Sequence, residues 1–116
     1  MKNYLFIIRH APHNGIATQE LLDVILTTAA FDQRVSLLFI GDGVLQLKSA
    51  QTPKPSGLKD TFSIFQALEV YDVQSLYLEA EAVAEYGLNF DHLELPLTHY
   101  PRQQIPTLLL QFDIII

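Results

Sequence analysis

The chain has 116 residues, a formal net charge of −6 and no cysteine. This length suits a single domain spanning residues 1–116, and an acidic chain with scattered Lys and Arg residues is not expected to bind nucleic acid or an anionic membrane. The absence of thiols excludes disulfides, thiolate metal sites and any mechanism in which this chain carries sulfur on its own cysteine.

Apolar residues make up 49% of the chain and charged residues 17%. So little polar material cannot cover a small globule, and we expect part of the apolar surface to be buried against other subunits. No apolar run approaches the roughly 20 residues of a membrane span, and the run Tyr4 to Ile8 is too short for a secretory signal. We therefore expect a cytoplasmic protein without a membrane segment.

The first half of the chain alternates short apolar runs with stretches of helical spacing, which is typical of a parallel sheet with crossover helices. Tyr4 to Ile8 predicts a first strand. Apolar residues then recur at helical spacing from Leu21 to Ala29, with Thr18 as the expected N-cap. Val35 to Ile40 predicts a central strand, which ends at the turn Gly-Asp-Gly of residues 41–43.

The second half continues the alternation. Residues 48–57 are polar and contain two prolines and a glycine, which predicts a loop. Gly87 suits the position after a helix, because glycine adopts a left-handed conformation at little cost. The other predicted elements are a helical turn at 44–47, a helix at 58–70, a strand at 75–78, a helix at 79–86, a strand at 93–97, a helix at 103–112 and a strand at 113–116.

Two prolines refine these assignments. Pro96 lacks the N–H that a central strand needs, so the strand at 93–97 is expected at the edge of the sheet. Pro106 indicates a start or a kink in the last helix. Together the elements predict a single-domain, three-layer α/β/α sandwich with a mainly parallel sheet of about five strands.

In such folds, ligands and partners usually meet the C-terminal ends of the strands. Two predicted loops, residues 9–15 and 41–57, belong to that edge. The two glycines of the second loop allow a tight turn, and its aspartate can cap the short helix that follows. The loop residues that we expect to complete a site or a subunit interface are Arg9, His10, His13, Asp42 and Gln46.

One alternative is a His10-dependent phosphatase, because an Arg-His pair after a strand resembles the opening of histidine phosphatases. A phosphohistidine intermediate needs several surrounding cations. Besides Arg9 the chain has only two arginines, and Arg34 is expected at the opposite end of the sheet, while Arg102 lies in a late segment. The chain also continues with alanine where that enzyme class has a glycine.

A second alternative is a metal site formed by His10, His13 and Asp42. The two loops are expected to be neighbours, but their spacing matches no recognisable ligand pattern. The simplest interpretation of both histidines is an exposed imidazole that makes a local hydrogen bond.

Three stretches together resemble the DsrE/DsrF-like family, and within it the TusC/DsrF subunits. They are FIIRHAPHNG at residues 6–15, LLFIGDGVLQL at 37–47 and FSIFQALEVYDVQSLYL at 62–78. The similarity runs from the first strand to about Gly87.

The resemblance implies a heterohexamer, a dimer of trimers, in which this chain assembles with TusB-like and TusD-like sibling subunits of the same fold. Such a complex relays persulfide sulfur, through a downstream sulfur-carrier protein, toward 2-thiouridine at the tRNA wobble position. The related alternative is the complex of intracellular sulfur oxidation. The sulfur-bearing cysteine belongs to the TusD or DsrE sibling. A self-associating scaffold of the same fold without a sulfur role is a further alternative.

Persulfide transfer requires attack by a thiolate, so a chain without cysteine cannot be a link in the relay. We therefore expect a structural, site-completing subunit of a sulfurtransferase complex that has no catalytic residue, cofactor or metal of its own. A cation that it supplies can favour a partner's thiolate, and Arg9 and His10 are the candidates.

Overall fold

The computed structural model describes residues 2–9, 15–31, 33–45, 73–89 and 97–116. The predicted loop at 48–57 and helix at 58–70 lie outside these ranges. The strands are β1 (Asn3–Ile8), β2 (Arg34–Phe39), β3 (Val73–Glu79), β4 (Leu97–Tyr100) and β5 (Ile114–Ile115). The helices are α1 (Gly15–Ala30), α2 (Ala80–Glu85) and α3 (Ile105–Leu109), and two 3-10 turns span Gly41–Val44 and Arg102–Gln104.

The five described strands form one sheet in the order β4-β3-β2-β1-β5, and every pairing between them is parallel. The mainly parallel five-stranded sheet predicted from the sequence is confirmed. The pairings bring Phe6, Leu37, Leu76 and Leu97 side by side across four strands. Because side chains alternate along a strand, these four share one face of the sheet.

Both faces of the sheet carry an apolar core, which explains why the central strands read as continuous apolar runs. On one face, α1 and α2 pack on the sheet through residues such as Ile25 and Val83. On the other face, Leu108 of α3 packs against Leu5 and Leu38. The described helices thus form layers on both sides of the sheet, as the three-layer prediction requires.

The start of α1 differs from its prediction. The helix begins at Gly15, so Thr18 lies within the first turn and is not the N-cap. A threonine inside a helix costs at most about 0.7 kcal/mol relative to alanine. This cost is too small to prevent the helix from including Thr18 and the three residues before it.

The C-terminal elements follow the two prolines. The strand predicted at 93–97 shares only Leu97 with β4, which continues to Tyr100 and lies at the edge of the sheet, as Pro96 indicated. Residues 93–96 lie outside the described part. The predicted helix at 103–112 is divided into the turn Arg102–Gln104 and the short helix α3, with Pro106 in its first turn. Proline suits that position because the first N–H groups of a helix have no intrahelical acceptor.

Candidate functional site at the carboxyl edge of the sheet

Since all five described strands run parallel, the residues that follow them meet at one edge, which we call the carboxyl edge. Arg9 follows β1, the turn Gly41–Val44 follows β2, and α2 begins directly after β3. The turn Arg102–Gln104 follows β4. Crevices at this edge are the usual binding sites of parallel α/β sheets.

The turn after β2 is held against the end of β1 by a close approach of backbones. Ile40 donates its N–H to the carbonyl oxygen of Ile8 at 3.0 Å. A Cβ atom on Gly43 would lie 1.8 Å from that same carbonyl oxygen, so only glycine fits there. Gly41 adopts φ +50°, a left-handed conformation that also favours glycine. The two glycines therefore serve different purposes, one steric and one conformational.

Glu79, the last residue of β3, carries a buried carboxylate at this edge, with 8% of the residue exposed. Its Oε1 accepts the backbone N–H of Gly41 at 3.1 Å, and its Oε2 accepts the Nε–H of Arg102 at 3.0 Å. The hydrogen bond from Arg102 lowers the pKa of Glu79, burial opposes this, and the Gly41 N–H and the Arg102 charge lower it further. Glu79 is therefore an ionised, paired carboxylate at neutral pH.

Arg102 joins this carboxylate to two others. Its Nη2 donates to Oε1 of Glu85 at 2.7 Å, and its backbone N–H lies 3.0 Å and 2.9 Å from the two carboxylate oxygens of Glu81. The hydrogen bonds to Glu79 and Glu85 raise the pKa of Arg102 above its already high ordinary value. We call Arg102 with Glu79, Glu81 and Glu85 the Arg102 clasp.

A second contact crosses the same edge. The hydroxyl of Tyr86, which follows α2, donates to Oδ1 of Asp42 in the turn after β2. This hydrogen bond is the main reason that the pKa of Tyr86 is raised. The turn Gly41–Val44 has Ile40 at its N-cap and no side-chain cap. The helix that Asp42 was expected to cap, at residues 44–47, extends beyond the described residues, so that expectation stays a prediction.

The structure places two of the five predicted site residues. Arg9 and Asp42 are exposed, and they follow β1 and β2 at the carboxyl edge. Arg9 has no ion-pair partner among the residues that the structure describes. His10, His13 and Gln46 lie outside the described ranges, as does the metal site suggested for the two histidines with Asp42. Within those ranges, no three His, Asp or Glu side chains are grouped to hold a metal ion.

The arginines bear on the phosphatase alternative. Arg34 pairs with Asn3 at the start of the sheet, at the end opposite to Arg9, as expected. Arg102 shares the edge with Arg9, but its guanidinium is bound by Glu79 and Glu85. The described part of this edge also holds acidic side chains at Asp42 and in the clasp, and their negative charge disfavours a phosphate ester.

The clasp and Tyr86 were not identified from the sequence. The available signal was positional: Glu79 ends a predicted strand, and such residues lie at the carboxyl edge of a parallel sheet. Nothing local pairs Glu79 with Arg102, because the contact spans 23 residues and depends on β3 and β4 being neighbours.

The match to a family model covers residues 2–116 and is to the DsrE/DsrF-like family. The chain belongs to this family.

Curated relatives carry two kinds of name. Protein TusC homolog of Pseudomonas aeruginosa is 35% identical over 115 residues, which is 99% of this chain and 97% of the relative. Intracellular sulfur oxidation protein DsrF of Allochromatium vinosum is 37% identical over 93 residues, covering 80% of this chain and 68% of the relative. Protein TusC of Klebsiella pneumoniae strain 342 is 37% identical over 89 residues, covering 77% and 75%. The chain is thus similar to both TusC and DsrF proteins.

A solved structure supports the fold. The crystal structure of the ychN protein from E. coli superposes with a TM-score of 0.79 at 14% identity, and the match covers 100% of this chain and 98% of that one.

Among the described helices, none has the length and apolar character needed to cross a bilayer.

Proposed function

We propose that this chain is a structural, non-catalytic subunit of a TusC-like persulfide-relay complex that supports 2-thiouridine formation at the tRNA wobble position. The observation that carries the proposal is the absence of cysteine in a chain that aligns over almost the full length of a TusC homolog. The chain acts as one DsrE/DsrF-like domain over residues 1–116, in the cytoplasm, without a cofactor.

The chemistry defines what such a subunit can do. In persulfide transfer, a thiolate attacks the outer sulfur of a persulfide, a new S–S bond forms, and the donor's thiolate leaves. A chain without sulfur takes neither role. Its contribution is to bind TusB-like and TusD-like siblings in a heterohexamer, a dimer of trimers, and to shape the surface where the TusD-like cysteine exchanges sulfur with a downstream carrier protein.

The carboxyl edge is the surface that we assign to partner contact, with Arg9, His10, His13, Asp42 and Gln46 as its site-completing residues. Arg9 is the favoured cation for a partner's thiolate, since it is exposed and has no carboxylate partner in the described ranges. A nearby cation stabilises a thiolate and lowers the thiol pKa. Arg102 is unsuited to this role because two carboxylates bind its guanidinium.

Deletion of the gene tests the proposal in the cell. We expect 2-thiouridine to fall to a small fraction of its normal level in tRNA, and re-expression of this chain to restore it. Liquid chromatography with mass spectrometry of tRNA nucleosides provides the measurement. Normal thiolation in the deletion strain would contradict the tRNA role.

A second candidate is a subunit of the related sulfur-oxidation complex, which the 37% identity to DsrF favours. The two functions predict different phenotypes for the same deletion. Loss of stored-sulfur oxidation with unchanged 2-thiouridine would assign the chain to the oxidation complex, whereas the reverse result would assign it to tRNA modification.

The assembly is tested separately by co-expression with the two sibling chains. We expect one stable complex of all three chains in sedimentation, and an Arg9→Met variant that still assembles. Within that complex, the pH dependence of alkylation of the TusD-like cysteine should shift upward by roughly half a pH unit in the variant, since one nearby charge is removed. Stable homo-oligomers that do not bind the sibling chains would favour the self-associating scaffold instead.

A further inference from the structure

Arg102 connects three segments of the carboxyl edge that are far apart in sequence. Its guanidinium binds Glu79 at the end of β3 and Glu85 at the end of α2, and its backbone N–H binds Glu81. Through Glu79 the connection reaches the turn after β2, because the other oxygen of that carboxylate accepts the N–H of Gly41. One side chain therefore ties β4 to β3, to α2 and to the Gly41 turn.

The charges make this arrangement depend on Arg102. Two carboxylates bind its guanidinium and a third accepts its backbone N–H. In the described part of the chain Glu79 is the one charged residue that is buried, with 10% of its side chain exposed. Without the guanidinium, Glu79 would be a buried carboxylate without a counter-charge. Its carboxylate would then be driven to solvent or to protonation, and Gly41 would lose its acceptor.

We propose that Arg102 is a positioning residue, which holds the carboxyl edge in the shape that a sibling subunit binds. This inference rests on the proposed function for the identity of the partner. Arg102 contributes order and charge compensation, whereas Arg9 remains the exposed cation. The edge is then preorganised, which lowers the entropy lost when a partner binds.

The first test measures order in the isolated full chain by amide hydrogen exchange. We expect Arg102→Met to speed exchange of the Gly41 amide by about tenfold or more, because its hydrogen bond to Glu79 is no longer held in place. Arg34→Met is the matched control, since it removes an exposed arginine at the opposite end of the sheet. Equal Gly41 protection in both variants would overturn the ordering role.

Conservative replacement separates positioning from general stability. Arg102→Lys retains the charge but not the planar fork, so we expect it to recover only part of the Gly41 protection. In the Arg102→Met background, Glu79→Gln removes the uncompensated charge and keeps an oxygen for Gly41, so we expect it to restore protection. If Arg102→Met does not fold, the same comparison is made with Arg102→Lys alone and with Arg102→Lys combined with Glu79→Gln. If Glu79→Gln changes the protection of the Gly41 amide equally with Arg102 and with Lys at position 102, the inference is overturned.

The second test measures binding to the co-expressed siblings. We expect Arg102→Met to weaken assembly by about tenfold or more, with partial recovery in Arg102→Lys and no change in Arg34→Met. Normal assembly of Arg102→Met would overturn this inference and leave the proposed function intact. A wild-type chain that fails to bind either sibling would overturn the proposed function and the partner role of Arg102, while hydrogen exchange would still decide whether Arg102 orders the edge.

Discussion

The two ends of the sheet are built by different means. At the carboxyl edge, pairs of side chains join separate segments, as in Arg102 with Glu79 and Glu85 and in Tyr86 with Asp42, beside contacts to backbone N–H groups. At the opposite end, which we call the amino edge, each hydrogen bond of this kind involves a backbone group: Lys2 N–H donates to Gln33 at 3.0 Å, and Asn3 N–H donates to Asp113 at 2.8 Å. The ion pairs found among the described residues lie at the carboxyl edge.

The amino edge also has a shallow groove beside α1, which Tyr4, Phe31 and Gln33 help to line. The ring of Phe31 is largely in solvent, with 73% of the residue exposed. The cations Lys2 and Arg34 at this edge have no carboxylate partner in the described ranges. We therefore expect electrostatic substitutions to change stability more at the carboxyl edge than at the amino edge.

The largest effect is expected in the core that both edges share. Phe39 is fully buried near the end of β2, and Phe39→Ala should destabilise the chain by about 3 to 5 kcal/mol. Denaturant unfolding followed by circular dichroism measures the change. If the loss were as small as that of a surface substitution, the two edges could not be treated as parts of one cooperative core.

The steric requirement at the carboxyl edge comes next. Gly43→Ala places a Cβ against the backbone carbonyl of Ile8 and should cost about 3 kcal/mol, because the turn after β2 must move away from β1.

Gly41→Ala is the matched control for this steric effect. Its Cβ would meet no atom within 4 Å, so only the left-handed backbone conformation is penalised, by about 1 kcal/mol. Urea midpoints of the two variants measure the difference. Equal losses would show that the approach to Ile8 relaxes without cost.

A smaller, pH-dependent effect is expected for Glu79→Gln, about 1 kcal/mol at neutral pH, since the partner arginine is half exposed and screened by solvent. The folded-state pKa of Glu79 is lowered, so its contribution is fully present above the ordinary glutamate pKa of about 4.3 and is lost as the pH falls below that value.

Thermal unfolding of the wild type and the Glu79→Gln variant between pH 3 and 7 provides the measurement. The difference in stability should be constant at the upper end of this range and shrink toward pH 3. A difference that grows on acidification would mean that the pKa of Glu79 is raised by burial. The exposed Glu85 offers a control, because Glu85→Gln should change stability less.

The smallest effect is expected at the amino edge. Arg34→Met should change the free energy of unfolding by no more than about 0.5 kcal/mol, because the side chain is exposed and has no described ion-pair partner. Its stability should also respond to salt as the wild type does. A loss as large as that of Glu79→Gln would remove the contrast between the edges.

Much of the sheet could be predicted from local pattern. The apolar runs at residues 4–8 and 35–40 mark β1 and β2 to within one residue at each end, and Gly87 takes the expected left-handed conformation, with φ +64°. Pro96 correctly indicated that the fourth strand lies at the edge of the sheet, although that strand lies further along the chain than predicted, and Pro106 correctly indicated the start of α3. These features depend on neighbouring residues only, so sequence spacing is enough to find them.

The candidate site was predicted less well. Arg9 and Asp42 were placed correctly at the carboxyl edge, because the residues after parallel strands share an edge whatever the strand order. The contacts of Asp42 were not predicted, since its partner Tyr86 lies 44 residues away. Gly43 was expected to allow a turn, but its contact with Ile8 becomes visible only when β1 and β2 are side by side.

The amino-acid sequence alone establishes that this chain has no cysteine thiol to carry sulfur. The periodicity of its apolar residues indicates the parallel α/β sandwich. Both conclusions follow from composition and from spacing along the chain. Only the folded molecule decides that Arg102 neutralises Glu79 and that Gly43 alone fits beside Ile8. The physical reason is that ion pairs and close backbone contacts act over a few ångströms, and the order of strands in the sheet determines which distant residues come that close.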